Sequence, residues 1–137
     1  MALEKLDLEI VTPERLVLSE TVDELVLPGS EGYLGVLPGH APLLTALVPG
    51  AISYRAGGRK RLLAVSGGFV EILRGRVTVL AETCERAEEI DVERAQRAKK
   101  RAEAILKGQA SESEFRRAEV KLKKALTRIQ VHGRGEG

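Results

Sequence analysis

The chain has 137 residues, 43% of them hydrophobic and 31% charged, with a formal net charge of +2. That length suits one domain with a small appendage and excludes a multidomain enzyme, and no apolar run approaches the ~18 residues of a membrane-spanning helix. One cysteine, Cys84, excludes an internal disulfide, and four aromatic residues without tryptophan are too few for a base-stacking platform.

The opening residues, Met1 to Lys5, lack the layout of a secretory or transit leader, so a soluble, cytoplasmic chain is expected. Leu6, Leu8 and Ile10 then alternate with Asp7 and Glu9, the period of a strand with one buried face. Further short aliphatic runs follow at 16–18, 25–27, 34–37, 51–55, 61–65, 69–73 and 77–81, separated by turn signals such as Pro28-Gly29, Pro38-Gly39, Gly57-Gly58 and Gly67-Gly68. Gaps this short leave no room for helical crossovers, so residues 1–87 read as an antiparallel β-sandwich or barrel.

Beyond Gly75 the grammar changes. All five prolines and ten of the fourteen glycines precede residue 76, and the remainder has the long uninterrupted runs that helices require. Ala95, Ala98, Ala102 and Ile105 form one apolar seam at helical spacing; Phe115, Ala118, Leu122, Ala125 and Ile129 form another. Asp91 is placed to cap the first helix, Gly108 to stop it, and Ser111 with Glu114 to form a capping box for the second. Residues 88–137 therefore read as an antiparallel two-helix hairpin. Its alanine seam gives a small contact area, consistent with a movable arm or with a tight static pairing.

Charge is divided the same way. Residues 1–87 carry 9 basic and 11 acidic side chains, whereas residues 94–128 carry 12 basic and 4 acidic. A surface so basic suits an anionic partner, whether nucleic acid, an acidic protein face or a polyphosphate, or else is a solvated helical face. No helix-turn-helix, zinc or RNA-binding signature accompanies it. His40, His132 and Cys84 have no spacing that would build a metal or nucleophilic site, and no catalytic or metal residue is assigned.

The run Gly29-Ser30-Glu31-Gly32-Tyr33-Leu34-Gly35-Val36-Leu37-Pro38-Gly39-His40-Ala41-Pro42-Leu43-Leu44-Thr45 resembles the signature region of the epsilon subunit of bacterial F-type ATP synthases. Val65-Ser66-Gly67-Gly68-Phe69-Val70-Glu71 and Val77 to Glu82 resemble its later strands, and the helical tail fits as well, so the likeness runs from about Leu6 to Val131. The resemblance implies a sandwich of about ten strands followed by a regulatory hairpin, mounted on the rotor beside gamma. It implies a non-catalytic coupling subunit, peripheral to the cytoplasmic face of the bacterial plasma membrane and touching the c-ring near Glu31, Gly32, Tyr33 and His40. Tyr33 stands where relatives often carry an acid. The tail would act as a brake that blocks ATP hydrolysis when its basic helices extend to the catalytic alpha and beta subunits.

Ile90-Asp91-Val92-Glu93-Arg94-Ala95 is similar to the motif with which some epsilon subunits bind ATP in the folded state. The resemblance then implies nucleotide contacts at Glu85, Ile90, Asp91, Arg94, Ala95, Arg101, Lys124 and Arg128. Lys124 replaces the usual arginine, keeping the charge but losing the planar fork. No cofactor is required on this reading; ATP, with or without magnesium, is a regulatory ligand. Competing readings are an ATP-blind inhibitory tail, with Asp91 only a cap and Arg94 only a surface residue, and a nucleic-acid module using the basic helices.

Overall fold

The computed structural model describes residues 4–134. Ten strands come first: β1 (Leu6–Val11), β2 (Leu16–Val22), β3 (Glu24–Gly29), β4 (Gly32–Val36), β5 (Leu43–Leu47), β6 (Gly50–Ala56), β7 (Arg59–Val65), β8 (Gly68–Leu73), β9 (Arg76–Ala81) and β10 (Cys84–Arg86). A 3-10 turn, Ala87–Glu89, leads into helices α1 (Val92–Lys107) and α2 (Glu112–Arg134).

The strands follow one hydrogen-bonded path, β10-β7-β6-β3-β5-β8-β9-β1-β2, with β4 on β3. Its two halves meet through the single pair Gly29 and Leu47, so the path folds over into two layers. Alternate side chains point inward from both layers, among them Leu6, Leu8, Ile10, Leu25, Leu27, Ile52, Leu63, Val70, Ile72, Val77 and Val79, and form one continuous core. That core explains why a period of two marks these segments.

One pairing departs from the expected all-antiparallel arrangement. β1 and β9 lie parallel, Leu8 opposite Val77 and Ile10 opposite Val79. Parallel neighbours need a long crossover. Here the seven strands between them supply it, a route that short gaps between consecutive strands do not exclude.

The helix ends form as their local chemistry dictates. The Arg94 N–H donates to Asp91 Oδ1 at 3.1 Å, and the Gly108 N–H donates to Ile105 O at 3.2 Å. At α2 the Ser111 N–H donates to Glu114 Oε1 (3.0 Å) and the Glu114 N–H to Ser111 Oγ (3.2 Å), the reciprocal capping box. α1 and α2 pack through Ala95, Ala102, Ala118 and Ala125, all buried, while Ile105 and Phe115 beside the loop that joins the helices are exposed. α2, not α1, makes the main contact with the sandwich, against β6, β7 and the 3-10 turn. A second, small apolar cluster seals that contact: Val131 of α2 with Ala64, Ala87 and Ile90, flanked by Ala51 and Leu62.

Candidate functional site

A cavity of about 670 Å³ opens between the sandwich and the hairpin. Four parts of the chain wall it: Thr12, Glu14 and Arg15 at the β1–β2 turn, Thr83, Cys84 and Glu85 around β10, Asp91 to Arg101 along α1, and Arg128 on α2. On α1 the lining residues are Asp91, Arg94, Ala95, Ala98 and Arg101, one face at helical spacing. The two alanines leave room between the two arginines, which sit ~10 Å apart along the axis at 1.5 Å per residue.

The charged groups in this cavity differ in their commitments. Arg128 Nε donates to Glu85 Oε1 at 2.5 Å, and its Nη2 reaches Thr83 Oγ1 at 3.4 Å, tying α2 to β10. Arg15 Nη2 donates to Glu89 Oε1 at 3.0 Å. The Asp91 carboxylate caps α1 through the Arg94 N–H. Among the described residues neither the Arg94 nor the Arg101 guanidinium enters an ion pair, so both remain available to an anion. Cys84 lies in the floor, where burial pushes its thiol up to about 12; it stays protonated at neutral pH and is a packing group.

Six of the eight residues that the motif singles out therefore share one cavity: Glu85, Asp91, Arg94, Ala95, Arg101 and Arg128. Ile90 does not line it; its side chain is buried in the small cluster with Val131 that docks α2. Lys124 sits in an adjoining crevice with Ala64, Val65, Ser66 and Arg128. Arg15, absent from the motif, lines the cavity through a turn about eighty residues earlier in the chain.

The other predicted surface is less unified. Ser30 and Glu31 form the β3–β4 turn, Gly32 opens β4 at φ 124°, and His40 follows β4 in a turn closed by its N–H on Leu37 O at 3.1 Å. The length of β4, ~16 Å at 3.3 Å per residue, separates them. Tyr33 turns toward the hairpin side: its hydroxyl accepts from the Ala51 N–H at 3.3 Å, and its ring lines a groove of about 270 Å³ with Leu62, Gln130 and Val131.

A third feature is apolar. On the outer face of five adjacent strands, Ala46, Phe69, Leu80, Val11 and Leu16 stand in a continuous cross-strand row. Phe69 and Leu80 are each 57% exposed, Leu16 56%, and neighbouring Leu44 70%. Water-facing positions of a sheet ordinarily carry polar residues, so an aligned apolar row is a candidate contact surface.

Comparison with known proteins accounts for both parts of the molecule. Residues 5–87 match the family model for the ATP synthase delta/epsilon chain, β-sandwich domain, and residues 88–133 the model for its long alpha-helix domain. The chain belongs to the ATP synthase delta/epsilon family. Among its relatives, the ATP synthase epsilon chain of Desulforamulus reducens is 53% identical over 124 residues, covering 90% of this chain and 94% of that one. The epsilon chain of Nitratidesulfovibrio vulgaris is 51% identical over 128 residues, 93% and 96% of the two chains. Among solved structures, a chain of the Euglena gracilis mitochondrial ATP synthase, determined with OSCP, F1 and c-ring in rotational state 1, superposes with a TM-score of 0.80. That chain is 27% identical, with 90% of this chain and 78% of that chain covered. In this delta/epsilon framework the cavity is a joint structure. Glu85 comes from the sandwich segment, whereas Arg94, Arg101 and Arg128 come from the helical one, so the site exists only while the hairpin is docked. Among the described residues no helix is long and apolar enough to cross a membrane.

Proposed function

We propose that the chain is the epsilon-type coupling subunit in the central stalk of a rotary F-type ATP synthase, with a hairpin that restrains ATP hydrolysis and binds ATP when docked. The sandwich carries the mechanical role. Its exposed row through Phe69 and Leu80 suits burial against gamma, and the Glu31-Gly32 corner and the His40 turn provide two separate contacts for the c-ring. The subunit is then peripheral to the cytoplasmic face of the plasma membrane, held there by the complex, and the catalytic chemistry belongs to other subunits.

The hairpin carries regulation. Its pairing rests on alanines and its docking on one small cluster around Val131 and the Arg128–Glu85 pair, so little apolar area opposes release. Once released, the basic face suits acidic surfaces of the catalytic alpha and beta subunits. A ligand that fits only the docked form shifts the balance by its differential affinity for that form.

The observation that carries the ATP clause is the cavity itself. Unpaired Arg94 and Arg101 face a space shared by both parts of the molecule. Titration calorimetry of the full chain should show MgATP uptake, and Arg94→Ala should weaken it about tenfold or more, the loss of a charge-assisted contact. Absence of heat at millimolar nucleotide removes the clause.

A second reading keeps the brake and drops the ligand. It is favoured by the Arg128–Glu85 pair and the Asp91 cap, which satisfy charged groups of the cavity without any nucleotide. In both readings, removing residues 88–137 should raise ATP hydrolysis by the assembled enzyme severalfold. Unchanged hydrolysis rejects inhibition altogether.

A further inference from the structure

The β1–β2 turn is the one wall of the cavity that the motif does not mention. Its position is fixed rather than loose: the Thr12 N–H donates to Arg15 O at 2.9 Å, and the Arg15 N–H donates to Thr12 Oγ1 at 3.3 Å. The turn thereby holds the Arg15 guanidinium in the lining of the cavity, on Glu89 just ahead of α1.

We propose that Arg15 is a further nucleotide-phosphate ligand of this cavity, occupied by Glu89 until a nucleotide arrives. The inference rests on the ATP-binding reading and adds to it a residue and a competition. Four arginines, Arg15, Arg94, Arg101 and Arg128, converge on the cavity, against the carboxylates of Glu14, Glu85 and Asp91. Two of the four already hold carboxylates. Arg128 is paired with Glu85 at a half-buried site, whereas the Arg15–Glu89 pair is more exposed on the guanidinium side. An ion pair open to water is a weak clip, and a polyphosphate, with more charge and more acceptor oxygens, displaces one carboxylate from it.

Glu89 is suited to let go. Its Oε1 also accepts from the Arg86 N–H at 2.9 Å, closing the 3-10 turn, so the carboxylate keeps one partner when Arg15 swings to the ligand. The guanidinium and that N–H together hold the Glu89 carboxyl below its usual range, leaving it ionised and competing at neutral pH.

Both Arg15→Ala and Glu89→Gln break the same ion pair, which makes them a discriminating test. The glutamine retains an oxygen for the Arg86 N–H. MgATP is titrated by calorimetry into the full chain and into Arg15→Ala, Glu89→Gln and Arg94→Ala. A ligand role for Arg15 predicts opposite shifts: Arg15→Ala weakens binding roughly tenfold, and Glu89→Gln, which frees the guanidinium, strengthens it about threefold. Shifts in the same direction overturn the proposal, since they assign the pair to holding the fold. An unchanged Arg15→Ala beside a crippled Arg94→Ala also overturns it, while leaving the cavity reading intact. If the unaltered chain takes up no MgATP, the cavity reading falls and this one with it.

Discussion

Gly68→Ala should lower stability by ~4 kcal/mol or more, enough to leave the chain barely folded in the absence of urea. Gly68 opens β8 immediately after the chain crosses between the two layers, with φ at 141°, a backbone conformation that side-chain-bearing residues rarely adopt. Space is the larger obstacle. A Cβ there would lie 2.1 Å from Leu80 O and 2.9 Å from Ala81 Cα, both backbone atoms of paired β9. Relief requires β8 and β9 to separate at Gly68 and Ala81, in the middle of the β5-β8-β9-β1 half of the sandwich. Steric strain of this kind together with a broken ladder falls in the exceptional range of ~4 kcal/mol or more, a large fraction of a small domain's stability. Gly57→Ala is the matched comparison: its φ is also positive, at 58°, but nothing lies within 4 Å of the added carbon. Its effect should stay near ~1 kcal/mol. Urea denaturation followed by circular dichroism measures both; a Gly68→Ala chain as stable as Gly57→Ala would mean that β9 yields without disruption.

The contrast between what was legible and what was not follows the range of the forces involved. Asp91, Gly108, Ser111 and Glu114 announce the helix ends because capping joins residues no more than three or four apart. Strands with one buried face show in alternation, as Leu6, Leu8 and Ile10 do. β5 is the instructive exception: Leu43, Leu44 and Leu47 do not alternate, because Leu44 lies beside the exposed apolar row and faces outward. β10 has three residues and one buried side chain, Cys84, too little for any period. The parallel β1–β9 pair is invisible locally, since seven strands intervene. The candidate site divides the same way. Arg94, Ala95 and Arg101 share a helical face that spacing reveals, whereas their meeting with Glu85, Arg128 and above all Arg15 depends on how α2 docks and where the β1–β2 turn lands. Ile90 belongs to the motif in sequence but to the docking cluster in space.

That cluster allows the hairpin to be released without harming the sandwich. Val131 is fully buried against Ala64, Ala87 and Ile90, while the main core draws only on residues between Leu6 and Cys84. Val131→Asp places a carboxylate among Ala64, Ala87 and Ile90, with Lys60 and Arg134 of the adjoining groove the nearest cations, both at its water-facing side. The chain can keep it buried, at several kcal/mol, or undock α2 and return it to water. Undocking loses little apolar area and leaves the sandwich core intact, so it is the lower-energy response. Release also separates Arg128 from Glu85 and dissolves the cavity. Hydrogen exchange should therefore show protection retained through β1 to β9 and lost across α1 and α2. MgATP affinity should fall by about a hundredfold if one molecule in a hundred remains docked, since apparent affinity scales with the competent fraction. In the assembled enzyme the same substitution should deepen inhibition of ATP hydrolysis at saturating ATP, the opposite of deleting residues 88–137. Opposite outcomes from a release and a deletion would separate a brake that acts when extended from a hairpin that merely stabilises the stalk. Val131→Ala sets the scale: it removes methyl groups without introducing charge, and should loosen docking by only ~1–2 kcal/mol. If Val131→Asp instead strips protection from the β-strands as well, the two clusters are one cooperative unit and the hairpin is not a separable arm.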